Sequence, residues 1–268
     1  MLGLNPISLF RFPLHPMTRD DVLTNIERAV VKKRRLVMAN LNLHGMAALY
    51  ESPAMARLLA SSETRIMIDS TPLLWLSRFA NPELDSRYRM TSLDYFDQLF
   101  STAVREKWKL DYVGSSPEVL ERGLARLRQM HPGLNIEGRD GYFDMQDFSL
   151  GSKQREMLEW MQRRSADILI VGMGMPRQEE WLYTIRREAP HSVLIPVGAY
   201  LDYQTGAQRR PPRWLGPLGL EWAHRLVHSP RRLWRRYLIE PFLLSWLILT
   251  RENPILGVAA AIKDGVDA

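Results

Sequence analysis

In the run RIMIDSTPLLWLSRF, Arg65 to Phe79, a single carboxylate stands where a short apolar strand gives way to a helix expected to begin near Pro72. Asp69 would therefore lie at the carboxyl edge of a sheet, the rim at which open α/β sheets bind ligands, and there it could take the proton of a hydroxyl as a general base. A structural role competes: an Asp, Ser or Thr ahead of a helix satisfies its first N–H groups and stabilises it by about 1 kcal/mol. The run LVMANLNLHGM ends a second strand in Asn40, Asn42 and His44. Asparagine carries both donor and acceptor, as recognition of sugar hydroxyls or a base edge requires, and the same residues also form turns. Arg89 in SRYRMTSLD offers a guanidinium that can grip two phosphate oxygens at once, although an exposed arginine needs no such role.

The run ILIVGMGMPRQEEW, Ile168 to Trp181, is a buried strand ending in Gly172 and Gly174, with Pro176 opening a helix. Unpaired N–H groups at that helix start favour an anion, and Gln178 in the first turn could reach a nucleotide or sugar hydroxyl. The third glycine of a dinucleotide fingerprint is missing, so a tight turn without a ligand is the alternative. There is no H-E-x-x-H, paired-cysteine, D-x-D, G-x-S-x-G or Walker A element. Chemistry without a metal or a bound cofactor is expected.

Late in the chain, EWAHRLVHSPRRLWRRY mixes Arg225, Arg231, Arg232, Arg235 and Arg236 with Trp222, Trp234 and Tyr237. Ser229 and Pro230 suit the start of a helix, which sets Arg232 on one face with Arg235 and Arg236. Like charges repel along such a stripe unless an anion covers it, and the positive end of the helix dipole adds to the attraction for phosphate. A solvated basic face is the ordinary reading of such a run. The interleaved Leu226, Leu233, Trp234 and Tyr237 point instead to an amphipathic segment at a membrane surface, where aromatic side chains sit at headgroup level and arginines contact phosphates.

The elements that position these residues are legible in outline. Nearly continuous apolar runs at Leu36–Leu41, Arg65–Ile68, Leu110–Gly114, Leu134–Glu137, Ile168–Gly172 and Val193–Val197 suit strands of a parallel sheet covered on both faces. Helical patterns separate them: Thr18 to about Lys33, Gly45–Leu59, Leu93–Glu106, a helix capped by Ser116-Pro117, Lys153–Arg164 and Pro176–Arg187. The alternation predicts an α/β fold with a mostly parallel sheet. It stops near Tyr200, where a basic, helix-dominated stretch begins, so a core over 1–200 and an appendage over 201–268 are expected.

Hydrophobic residues make up 46% of the 268 and charged ones 25%, which excludes a disordered or fibrous chain. The net charge of +6, concentrated between Arg209 and Arg236, calls for an anionic partner. The absence of cysteine fits a reducing compartment. No export signal is evident at the N-terminus, and the runs FLLSWLIL and ILGVAAAI are too short and too interrupted to span a bilayer, which takes about 20 residues.

Taken in order, NLN, IMIDS, RMTSLD, the stretch from YVGSSPEVL to GYF, ADILIVGMGMPRQEEW, VGAYLDYQTGAQRRPPRWLGPLGLEW and RLVHSPRRLWRRY resemble the bacterial WecG/TagA/CpsF glycosyltransferases, family 26 of the glycosyltransferases, from about Arg35 to Tyr237. The resemblance implies a Rossmann-like core with a C-terminal helical appendage. It further implies metal-independent, inverting transfer of a hexose-type sugar from a UDP-sugar to a polyprenyl-diphosphate-linked glycan, in exopolysaccharide or other envelope polysaccharide synthesis. By the same comparison Asp69 takes the place of the catalytic base, while Asn40, Asn42, Arg89, Gly172, Gly174 and Gln178 belong to the donor pocket. Arg225, Arg232 and Arg235 would bind the acceptor diphosphate. The chain departs from the family pattern at Ser70-Thr71-Pro72 and Ser92, where glycines are common, and at Arg210-Pro211-Pro212. A peripheral place on the inner face of the cell membrane follows, with no nucleic acid as partner. A nucleic-acid-binding protein using the arginine and aromatic segment, and a UDP-binding scaffold without catalysis, are the alternatives.

Overall fold

The computed structural model describes residues 4–208, 211–216 and 218–255, without the side chains of Arg213 and Arg232. The expected roles of the Arg232 side chain, Arg210 and most of the 255–262 apolar run thus fall outside the described residues. A short hairpin, β1 (Ile7–Leu9) and β2 (Phe12–Leu14), precedes α1 (Arg19–Val31), β3 (Leu36–Leu41), α2 (Leu43–Ala48), α3 (Pro53–Ala60), β4 (Thr64–Ile68) and α4 (Thr71–Ser77). Then follow α5 (Ser92–Arg105), β5 (Lys109–Gly114), α6 (Pro117–Met130), β6 (Asn135–Arg139) and α7 (Lys153–Arg164). After β7 (Ile168–Gly172), α8 (Arg177–Ile185), β8 (Val193–Pro196) and α9 (Tyr200–Thr205), the tail forms α10 (Glu221–His228), α11 (Pro230–Trp234), a π-helical turn (Arg235–Ile239) and α12 (Glu240–Thr250).

Six strands make a parallel sheet in the order β4-β3-β8-β7-β5-β6, so the expected α/β class holds. Every residue of β3, β7 and β8 is buried, which explains why these strands read as unbroken apolar runs, whereas the edge strand β6 exposes Asn135, Glu137 and Arg139. Three features differ from the sequence reading. The single helix expected over Gly45–Leu59 is two, because Pro53 cannot donate to the preceding turn and Ser52 Oγ caps the new helix at Met55 N–H, 3.2 Å away. The hairpin was not anticipated. Its turn carries positive φ at Phe10 and Arg11, 47° and 66°, without the glycine or asparagine that usually announces such a turn. Finally, the tail is not regular helix throughout but widens at Arg235–Ile239.

The chain forms two compact units. One comprises Leu23–Met38 and Ser92–Gln208. Within it the carboxylate of Asp111, fully buried, accepts from Arg164 Nε at 2.5 Å and pairs with His191 Nε2 at 2.8 Å, a shared ion network that joins β5 to the end of α7 and the approach to β8. The other comprises Met1–Val22, Ala39–Thr91 and Arg209–Ala268. Here His15 anchors the hairpin to β4: its N–H donates to Ile66 O at 2.8 Å and its Nδ1 accepts from Ile66 N–H at 3.1 Å. Burial, helped by Arg65, pushes the His15 imidazole down to about 4, so it is held neutral as an acceptor.

Candidate active site

Within the second unit the ends of β3 and β4 lie side by side, since Asp69 N–H donates to Leu41 O at 2.8 Å. The helix following β4 is capped by Ser70, whose Oγ accepts from Leu73 N–H at 3.3 Å. Asp69 is therefore relieved of the capping role that competed with chemistry, and its carboxylate opens instead onto a cavity of about 340 Å³. Asn42 serves two purposes. Its Oδ1 caps α2 by accepting from Gly45 N–H at 3.0 Å, while its Nδ2 donates to Asp69 Oδ2 at 3.2 Å. One end of the Asn42 amide thus makes the expected turn contact, and the other reaches Asp69.

The tail supplies the opposite wall. Thr71 Oγ1 donates to Gly216 O at 2.7 Å in a buried contact, so the departure from glycine after Asp69 provides a tie to the tail. His44 Nδ1 meets Glu240 Oε2 at 2.6 Å, and Arg89 stands 3.9 Å from Glu221. Trp222 and Tyr237, ring centroids 6.0 Å apart, give the cavity an aromatic side. Arg225 and Arg236 complete the wall.

Arg236, expected in the arginine stripe but not among the residues assigned to the acceptor diphosphate, reaches the cavity, while Arg235 is exposed and does not line it. Arg236 follows the buried Leu233 by three residues and so shares its inward face, in a turn widened by the bond from Glu240 N–H to Arg235 O, five residues back. A π-turn leaves no pattern of apolar residues by which it could be read. The Nε of Arg236 is buried without a hydrogen bond. Burial holds this guanidinium below its ordinary range and Arg225 adds repulsion, whereas Tyr237, Glu240 and Asp69 pull it back up. Two arginines crowded on one wall of a cavity are an arrangement that an anionic ligand would stabilise.

The remaining predicted residues lie elsewhere. Asn40 is buried within β3, and neither it nor Arg89 lines the cavity, although Arg89 pairs with Glu221, which does. Gly172, Gly174 and Gln178 belong to the first unit, at the junction of β7 and α8. Gly172 is a glycine for a packing reason: a β-carbon there would come within 2.0 Å of the Tyr112 hydroxyl. Gly174, at φ 79°, makes the left-handed turn with open space around it. Gln178 is only 3% exposed, and its Oε1 accepts from Gly198 N–H at 2.9 Å while its Nε2 donates to Glu179 at 2.7 Å, so most of its amide is already engaged. A larger hollow of about 420 Å³ between α6 and β6 contains none of the predicted residues. Among the described residues no group of three or more His, Asp or Glu side chains could hold a metal ion.

A profile of the glycosyl transferase WecG/TagA/CpsF family matches residues 7–254. The chain is 31% identical over 182 residues, 68% of its length and 67% of the relative's, to the N-acetylglucosaminyldiphosphoundecaprenol N-acetyl-beta-D-mannosaminyltransferase of Bacillus subtilis strain 168. Its identity to the protein of the same description from Bacillus spizizenii is 29% over 182 residues, 68% of this chain and 66% of the relative. The aligned stretch thus spans about two thirds of each relative. With a family match running through the cavity residues from Asn42 to Tyr237, the chain belongs to the WecG/TagA/CpsF family and is a glycosyltransferase.

Proposed function

We propose that this glycosyltransferase moves a sugar from a UDP-sugar to a polyprenyl-diphosphate-linked acceptor, with inversion and without a metal, in the synthesis of an envelope polysaccharide. The observation that carries the reading is that the Asp69 carboxylate and the guanidiniums of Arg225 and Arg236 line the same cavity. The names of the two relatives add support, since each describes transfer of an N-acetylhexosamine to an acceptor built on diphosphoundecaprenol.

In the reaction, the Asp69 carboxylate takes the proton of the acceptor hydroxyl as that oxygen forms its bond to the anomeric carbon. The bond from that carbon to the phosphate oxygen of UDP breaks in the same displacement, and UDP leaves with the electron pair. Asn42 donates to Asp69 Oδ2, which fixes the orientation of the carboxylate. Arg225 and Arg236 would meet the acceptor diphosphate and hold the lipid-linked substrate beside Asp69.

The tail fits the lipid part of such an acceptor. Trp234, Leu238, Phe242, Trp246 and Leu249 succeed one another three or four residues apart and remain 47%, 51%, 78%, 53% and 85% exposed, while Leu233, Leu244 and Leu247 are buried. A helix apolar on its outward side needs cover. Among the described residues no helix is long and apolar enough to cross a membrane. A place lying along the headgroup layer, on the inner face of the cell membrane, suits this helix and its flanking arginines. Replacing Asp69 by Asn and assaying transfer to a synthetic lipid diphosphate in the presence of EDTA tests the chemistry. Turnover should fall at least about 10³-fold with melting temperature and UDP binding unchanged; near-normal turnover by the folded variant would remove the base assignment.

A further inference from the structure

Glu179 is 1% exposed in the first turn of α8, and no step of the transfer above uses it. Its Oε1 accepts from Gln178 Nε2 at 2.7 Å, whereas its Oε2 is buried without a hydrogen-bond partner. Gln178 passes the contact on, because its Oε1 accepts from Gly198 N–H at 2.9 Å. Gly198 follows β8, and its carbonyl lies so close to Gly172 at the end of β7 that a β-carbon on Gly172 would stand 2.9 Å from it. One carboxyl thus braces, through one amide, the ends of two adjacent strands at the sheet edge where α/β folds receive ligands.

Burial pushes the Glu179 carboxyl up to about 8, and the charged neighbour acting on it, Glu180 of the same helix, adds repulsion, while the hydrogen bond from Gln178 pulls the other way. This direction favours the uncharged carboxylic acid at neutral pH. Ionisation would place a charge in a buried position against the Gln178 amide, and would strain the contact on which the Gly198 backbone depends.

We infer that Glu179 is a positioning residue for a nucleotide at the β7 and β8 ends: by holding the Gln178 amide it keeps the Gly198 backbone and those strand ends in the shape that receives UDP. The inference rests on the UDP-donor reading above. It is tested by titrating UDP into the full chain and by donor-saturation kinetics, with Glu179→Met, which keeps the length but loses the acceptor, and Glu179→Gln, which keeps an acceptor oxygen for Gln178 and cannot ionise. Glu179→Met should raise the Kd for UDP and the KM for the donor about tenfold while kcat changes little, and Glu179→Gln should restore both. Wild-type affinity for UDP should decline as pH rises through about 8, the point at which this carboxyl ionises, and that decline should be absent in Glu179→Gln. A folded Glu179→Met protein with wild-type Kd, or an identical alkaline decline in Glu179→Gln, overturns the inference while leaving the donor reading intact. A wild-type protein that shows no UDP binding overturns the donor reading and this inference together.

Discussion

Two strand-to-helix junctions, one after β4 and one after β7, look alike in sequence: a buried apolar strand, small or polar residues, a proline, then a helix with further polar side chains. They are used in opposite ways. After β4 the capping is done by Ser70, so the Asp69 carboxylate is left to face a cavity. After β7 the polar side chains turn inward: Gln178 bonds both Glu179 and Gly198, and Gly172 makes room for Tyr112. The lesson is that a polar residue in a motif is free for chemistry only where a neighbour has taken over the local backbone's needs.

If this contrast is right, the two junctions should fail differently. Asp69→Asn should produce the largest loss, about 10³- to 10⁴-fold in kcat, with the melting temperature of the wild type. An equal loss of stability would erase the distinction. On the tail side of the same cavity, Arg236→Ala and Arg225→Ala should each reduce kcat/KM for a lipid diphosphate by about 10- to 100-fold, and Arg235→Ala should do markedly less. Equal losses at Arg235 and Arg236 would mean that the inward turn of Arg236 is irrelevant to acceptor binding. Gly172→Ala at the other junction should act through stability, lowering it by about 1 to 3 kcal/mol because the new β-carbon collides with the Tyr112 hydroxyl. Combining it with Tyr112→Phe should recover part of that loss in a denaturant titration.

The smallest effect concerns the frame behind the cavity. His15 is neutral when folded, with its imidazole pushed down from 6.5 to about 4, so the unfolded chain binds the extra proton in that interval. Its contribution to stability is therefore complete above pH 6.5 and is lost as pH falls toward 4. His15→Asn, which keeps an acceptor for Ile66 N–H, should flatten the melting temperature across that window, and an unchanged pH dependence would show that other groups govern it.

Much of the fold was legible because the central strands are buried on both sides, and such strands announce themselves as apolar runs; β3 and β7 have the expected limits. Caps were equally plain, as at Ser116, where the hydroxyl accepts from Val119 N–H. The hairpin turn at Phe10 and Arg11 was not legible, since its positive φ values are imposed on residues that do not favour them.

For the site, the sequence by itself determined the cast: a carboxylate after a strand, an amide at the neighbouring strand end and a cluster of late arginines, together with the family to which they belong. Only the tertiary structure decided their parts. That Ser70 rather than Asp69 caps α4, that Thr71, His44 and Arg89 tie the tail to the residues around β3 and β4, and that Arg236 rather than Arg235 lines the cavity, are outcomes of contacts between segments more than 120 residues apart or of local backbone geometry.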